Sequence, residues 1–163
     1  MNFGLVSFTS GLIQKQAVSE IIRCNEYTDQ FGLSLTQEQA LELVETRAYA
    51  LNSNGRIEFG GGVIDKIIKE FCDSPYLYRQ NYAHTLNDLT EIFYYYKNET
   101  MDMMTDDDLI KFMKTAFDGI CQGSLELLAG RELYVMASNL RSGRPTEMAQ
   151  RQMPDSEEDE DEQ

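Results

Sequence analysis

The single histidine of this chain, His84, is the residue best suited to acid–base or metal chemistry, and two carboxylates follow it at helical spacing. Asp88 and Glu91 stand four and seven residues after His84, which places all three on one face of a helix. Such an edge could hold a metal ion, but a zinc site needs further histidine or cysteine ligands than this chain supplies. These positions also lie opposite the apolar stripe of the same segment. A solvated helix face is therefore the favoured interpretation, and we expect no metal.

Nucleophilic chemistry is equally hard to assemble from this sequence. There is no G-x-S-x-G motif, and His84 would have to be the only base. One histidine also excludes the paired Glu-x-x-His motifs of di-iron bundles. The three cysteines (Cys24, Cys72 and Cys121) form no C-x-x-C pair, and each falls in an apolar run, where a reduced buried thiol is expected. The sequence thus predicts a protein that is not an enzyme and that binds no cofactor.

Two adjoining loop segments resemble ion-binding sequences but lack decisive residues. Residues 50–61, ALNSNGRIEFGG, share Asn52, Asn54 and Gly55 with the centre of a calcium loop. The first and last positions of this segment are alanine and glycine, where a calcium loop requires carboxylates. We therefore predict an ordinary turn between helices and no useful affinity for calcium.

The run Gly60-Gly61-Gly62 could present backbone N–H groups to an anion at the start of a helix. A phosphate-binding loop would require the spacing GxxxxGK[ST], and Lys66 stands at the wrong distance. Glu58 and Asp65 would also repel a phosphate. A hinge or a close backbone contact is the favoured interpretation.

The charge of the chain restricts its partners. Its 163 residues include 28 acidic and 14 basic ones, which gives a formal net charge of −14. Seven of the acids crowd the last nine positions, so the rest of the chain holds 21 acids against 14 bases. No basic stripe is present, and binding to nucleic acid or to an anionic membrane surface is disfavoured. The opening residues lack a positive n-region, and no apolar run approaches the ~18 residues of a membrane span, so we expect a cytoplasmic protein.

The strongest periodic signal lies in residues 81–98, NYAHTLNDLTEIFYYYKN, which contain no glycine or proline. Its apolar residues are spaced four, three, four and three apart and lie on one helical stripe. The stripe consists of Tyr82, Leu86, Leu89, Phe93 and Tyr96, with Ile92 beside it. We predict that this segment is the central helix of the domain.

Five further helices are predicted over residues 11–31, 36–51, 62–71, 105–120 and 124–140. Thr36 with Gln39, and Thr105 with Asp108, have the spacing of capping boxes. The inward face of the second helix is predicted to be Leu41, Val44, Ala48 and Leu51. Residues 1–10 are expected to be loose or briefly extended, and residues 144–163 to form a disordered linker and acidic tail. The prediction is a single all-α domain over residues 1–143, a bundle of about six helices.

Several segments in this order resemble a known family. They are CNEYTDQFGLSLT, GRIEFGGGVIDKII, FCDSPYLYRQNYAHTL, EIFYYYKNE and TDDDLIKFM. Together they resemble a family of small acidic, all-helical bacterial proteins described only as a domain of unknown function. The resemblance covers residues from about 15 to 142. It implies a cytosolic bacterial protein and provides no catalytic residues.

Tyr94 and Tyr95 raise the question of a partner. If the stripe faces inward, both fall on the outward side of the central helix, with His84, Asp88 and Glu91. Asn87 and Asn98 are predicted to face outward too. Either a neighbouring segment such as residues 101–104 covers the two tyrosines, or they form a patch that faces a partner.

The functional prediction is a non-enzymatic interaction module with a protein partner, for which a basic surface would suit the acidity of the chain. The alternative is a small-ligand or regulatory domain with a pocket between helices. A deep apolar pocket would favour the ligand, and a flat exposed aromatic patch would favour the partner.

Overall fold

The computed structural model describes the backbone of residues 3–10 and the complete residues 11–53, 55, 56, 58 and 60–143. Six helices make up most of this part of the chain. They are α1 (Phe3–Arg23), α2 (Gln37–Ser53), α3 (Gly62–Phe71), α4 (Tyr82–Glu99), α5 (Asp106–Asp118) and α6 (residues 125–141). No strand occurs among the described residues, and the prediction of an all-α bundle is confirmed. The predicted tail, residues 144–163, lies outside them.

Helix α4 packs against four other helices, α2, α3, α5 and α6. Every residue of its predicted apolar stripe is buried, and Ile92 is partly buried beside it. The 4-3-4-3 spacing places these side chains on one face, which explains why the pattern identified this helix correctly. None of the described helices is both long and apolar enough to cross a membrane.

Both predicted capping residues begin the helices assigned to them, but the reciprocal bonds of a capping box form only at α2. At α2, the Thr36 amide donates to Gln39 Oε1 over 2.9 Å, and the Gln39 amide donates to Thr36 Oγ1 over 3.1 Å. At α5, the Asp108 amide donates to Thr105 Oγ1 over 3.1 Å. These bonds satisfy amides that have no partner inside a helix, and so they fix where each helix starts.

The start of α1 differs from the prediction. The helix begins at Phe3, so the expectation of a loose or extended segment over residues 1–10 is wrong for the described residues. A single glycine in a helix costs only ~1 kcal/mol relative to alanine, too little for Gly4 or Gly11 to end one. A helical turn (Asn25–Thr28) and a 3-10 turn (Asp29–Phe31) follow α1. This helical segment ends at Gly32, whose φ of 73° is left-handed, a conformation that glycine adopts readily at the end of a helix.

The inward face of α2 is rotated from the predicted one. Leu41 is exposed, whereas the buried side chains of this helix are Ala40, Leu43, Val44, Arg47 and Leu51. The buried face of α2 contains an arginine, which a pattern of apolar residues leaves out. The predicted inward face is therefore rotated from the observed one.

Helix α6 contains one wide turn. Its α-helical parts, Leu125–Leu127 and Leu133–Arg141, are joined by a π-helical turn over Leu128–Glu132. Leu128 and Leu133 are fully buried at a spacing of five, which a π turn accommodates and an α-helix does not. Such turns are rare and frequently occur at functional sites.

Candidate functional site

An open groove of about 970 Å³ lies between α2 and α4, with the π turn of α6 at its edge. Thr46 Oγ1 donates to Asn87 Oδ1 over 2.6 Å, and Arg56, just after α2, reaches Asn98 near the end of α4. The paired residues advance together along both segments, so α2 and α4 run side by side in the same direction. The two helices form the long walls of the groove.

The groove walls combine carboxylates with aromatic rings. We call this surface the acidic groove, and define it by Glu42, Glu45 and Tyr49 on α2 and by Glu91, Tyr95 and Glu99 on α4. None of the described residues that line it is a lysine, arginine or histidine. A carboxylate-lined groove without cations attracts positive charge.

Each long wall repeats the same pair of residues. Tyr49 follows Glu45 by four residues on α2, and Tyr95 follows Glu91 by four on α4. Residues four apart on a helix lie about 6 Å from one another on the same face. Because the helices run in the same direction, both walls present a carboxylate followed one turn later by an aromatic ring.

Two of the four carboxylates are already held by the protein. Glu42 Oε1 accepts from Asn87 Nδ2 over 3.1 Å, and Glu99 Oε1 accepts from Arg141 Nη1 over 3.2 Å. Glu45 and Glu91 form no hydrogen bond or ion pair with any residue that the structure describes. Both side chains are exposed, and no group within the described residues competes for them.

The ring of Tyr95 is supported from behind. It packs edge-to-face on Tyr96, with ring centroids 4.9 Å apart and an interplanar angle of 84°. The Tyr96 hydroxyl donates to the carbonyl of Ala129 in the π turn, so the wide turn helps to hold the aromatic pair. The Tyr95 side chain remains 59% exposed, and Tyr49 across the groove is 78% exposed. An exposed tyrosine held in place as Tyr95 is suits recognition.

Tyr94, by contrast, is only 2% exposed, so the prediction that it faces outward is wrong. Asn87 is buried as well, and both belong to a second stripe of α4 that Thr90 completes. This stripe is polar, which is why apolar periodicity did not reveal it. The two tyrosines therefore do not form one patch: Tyr94 is covered and Tyr95 is exposed.

The hydroxyl of Tyr94 is part of a buried network with Arg47 and Glu58. It donates to Glu58 Oε2 over 2.5 Å, and Glu58 Oε1 lies 3.6 Å from Arg47 Nη1. Burial, and then the hydrogen bond to Glu58, raises the pKa of the Tyr94 hydroxyl. Every buried polar side-chain atom among the described residues has a partner, so this network is closed.

Side chains of the same network form hydrogen bonds with the backbone of the glycine run and of the first residues of α3. Arg47 Nη1 donates to the Gly61 carbonyl over 3.0 Å, and the Val63 amide donates to Glu58 Oε1 over 3.1 Å. The Gly61 amide donates to Glu20 Oε1 over 3.0 Å. A Cβ atom at Gly60 would lie 2.5 Å from Glu20 Oε1, so the predicted close backbone contact is confirmed. The chain's own carboxylates occupy these amides.

The other predicted site residues do not come together in one site. The His84 side chain is 80% exposed, and its Nε2 atom lies 3.2 Å from Asp88 Oδ2. Neither residue lines the groove, although both share a face of α4 with Glu91. Of the predicted set, Glu91 and Tyr95 present exposed side chains to the groove, whereas Tyr94 lies in its wall as a buried residue. Within the described residues, no group of three or more His, Cys, Asp or Glu side chains could hold a metal ion. Of the calcium-like segment, Asn52 belongs to the last turn of α2, and Asn54 lies outside the described residues.

The α2 wall was missed by sequence reasoning. Glu42, Glu45 and Tyr49 recur at spacings of three and four, on the face of α2 opposite its buried residues. That spacing indicates a polar face of α2. The position of this face beside α4 depends on how the two helices pack, which periodicity does not predict.

The comparisons with known proteins identify the family. A family model described as "Family of unknown function (DUF6323)" matches residues 20–146, most of the chain. The chain belongs to this family, and the predicted resemblance to a domain of unknown function is confirmed. Neither the curated proteins nor the solved structures gave a significant match.

Proposed function

We propose that this protein is a non-enzymatic interaction module, and that its acidic groove binds a basic segment of a protein partner in the cytoplasm. The observation that carries the proposal is the combination of four carboxylates with the exposed rings of Tyr49 and Tyr95 in one groove. Lysine and arginine side chains suit such a surface because they pair with carboxylates and pack their stems on aromatic rings.

The shape of the groove favours a polypeptide over a small ligand. Small-ligand sites bury most of the ligand surface inside a concave cavity, whereas this groove is open along its length. The acidic residues 155–162 of this chain have the same sign of charge as the groove, which makes them an unsuitable occupant. A basic segment from another protein has the complementary charge.

The test is a titration of the isotopically labelled full-length chain with a capped hexalysine peptide, followed by amide chemical shifts. We expect the largest shifts at Glu45, Tyr49, Glu91 and Tyr95. The double variant Glu45→Gln/Glu91→Gln should weaken binding by about fivefold to tenfold, since each carboxylate pair contributes ~1 kcal/mol or less.

The matched control is Glu26→Gln/Asp29→Asn, which removes the same charge at two exposed positions outside the groove. It should change the dissociation constant by less than about twofold. Shifts confined to residues 155–162, or equal weakening by both double variants, would contradict the proposal.

A further inference from the structure

The wall of the groove on α4 offers a specific place for one type of basic side chain. Glu91, Tyr95 and Glu99 are spaced four apart, so they form a straight stripe of carboxylate, ring and carboxylate along the helix. All three residues line the groove. The ring is therefore flanked on both sides, one helical turn away, by a negative charge.

An arginine of the chain already occupies one end of this stripe. Arg141 Nη1 donates to the Glu99 carbonyl over 3.0 Å and to Glu99 Oε1 over 3.2 Å. The other end is open, because Glu91 has no partner among the described residues. The stripe therefore accommodates a guanidinium group at Glu99 and has an unfilled carboxylate at Glu91.

The chemistry of the open end distinguishes arginine from lysine. A guanidinium group is planar, stacks on aromatic faces and pairs with a carboxylate through two N–H groups at once. A lysine ammonium is a compact and strongly hydrated point charge, which gains less from a ring at an exposed site. The exposed ring of Tyr95 beside the unpaired Glu91 carboxylate matches the guanidinium better.

We infer that the segment bound by the acidic groove contains an arginine that stacks on Tyr95 and pairs with Glu91. This inference rests on the proposed function and makes it more specific. The supported ring of Tyr95 lowers the entropy lost on binding, because its packing on Tyr96 exists before the partner arrives.

The experiment compares capped hexa-arginine and hexalysine peptides, which have equal charge and length, by calorimetric titration of the full-length chain. Hexa-arginine should bind about threefold to fivefold more tightly, as expected for one exposed cation–π contact. Tyr95→Leu should weaken hexa-arginine binding more than hexalysine binding and so abolish this preference, whereas Tyr95→Phe should retain the preference because the ring remains.

Tyr78→Leu is the matched control, because Tyr78 is 56% exposed and lies outside the groove. It should leave the preference for arginine unchanged. Equal affinity of the parent chain for both peptides would overturn this inference but leave the proposed function standing. Persistence of the preference in Tyr95→Leu, or its loss in Tyr78→Leu, would also overturn it. Failure of both peptides to bind would instead remove the proposed function itself.

Discussion

Tyr94 and Tyr95 are neighbours with identical side chains, yet they belong to two different regions of the molecule. Tyr94 is buried in the network with Arg47 and Glu58, in which each polar atom has a partner within the chain. Tyr95 stands in the acidic groove, beside a Glu91 carboxylate without a partner among the described residues. The two tyrosines thus differ in whether the polar groups beside them have hydrogen-bond partners within the chain. This property, more than residue type, distinguishes an internal aromatic residue from one available for binding.

The sharpest test of this difference replaces each tyrosine in turn by alanine. Tyr94→Ala should lower the free energy of unfolding by about 4 kcal/mol, because it leaves a cavity and removes a partner of Glu58. Tyr95→Ala should cost no more than about 1 kcal/mol, because the side chain is already largely exposed. Urea unfolding monitored by circular dichroism measures both. Equal losses would show that the two regions do not differ as described.

The charged pair inside the buried network gives a second, smaller contrast. Arg47→Met should destabilise the protein by about 3 kcal/mol, because Glu58 is then left partly buried without its cation. Lys66→Met is the matched control, since Lys66 pairs with Asp107 over 3.0 Å at the exposed surface. That variant should cost less than about 1 kcal/mol. A comparable loss in the two variants would mean that burial of Arg47 has little energetic weight.

Part of the dependence of stability on alkaline pH should also originate in the buried network. The pKa of Tyr94 is raised in the folded protein, whereas in the unfolded chain the hydroxyl ionises near its ordinary value of 10.0. Above about pH 10 the unfolded state loses this proton first, so stability is complete below that pH and falls as the pH rises. One such group contributes a slope of at most ~1.4 kcal/mol per pH unit.

Burial and the Asp65 hydrogen bond raise the pKa of Cys24 to about 12, and burial raises the pKa of Tyr82, so both groups act in the same direction. The Tyr94→Phe variant should therefore retain part of the slope. Denaturant unfolding between pH 8 and pH 11 tests this, and an unchanged slope in Tyr94→Phe would exclude Tyr94 as a contributor.

The smallest expected effect concerns Gly130, at the edge of the groove in the π turn. A Cβ atom there meets no atom within 4 Å, so alanine fits without strain. Gly130→Ala should raise the free energy of unfolding by ~0.5–1 kcal/mol, because it restricts the unfolded chain. Thermal unfolding measures the gain, and a loss of stability would show that the turn requires glycine.

Gly130→Glu at the same position adds a negative charge at the groove edge and should strengthen binding of hexalysine, whereas Gly130→Lys should weaken it.

The sequence predicted correctly those features that depend on one local pattern of residues. The stripe of α4 and the capping residues Thr36 and Thr105 depend on local spacing, and these predictions are confirmed. Local spacing failed where a helix buries polar side chains, as at Arg47 on α2 and Tyr94 on α4. The polar groups of both residues find their partners in other segments of the chain, at Glu58 and Gly61, and no periodicity encodes these contacts.

The candidate site could be predicted only in part for the same reason. Glu91 and Tyr95 were found because both lie on the predicted outward side of one helix. Glu45 and Tyr49 join them only because α2 packs alongside α4 in the same direction. The predictions of a cytoplasmic location and of a basic protein partner stay predictions.

The π turn of α6 has a consequence for how this protein could be varied. Leu128 and Leu133 fix the two ends of the turn in the interior, while the residues between them are at least partly accessible to solvent. A change of side chain at Ala129 or Gly130 can therefore reshape the rim of the groove without replacing either buried leucine. Under the proposed function, the residues that face a partner and the residues that hold the fold are separate within this helix, which makes Ala129 and Gly130 the place to engineer a new specificity.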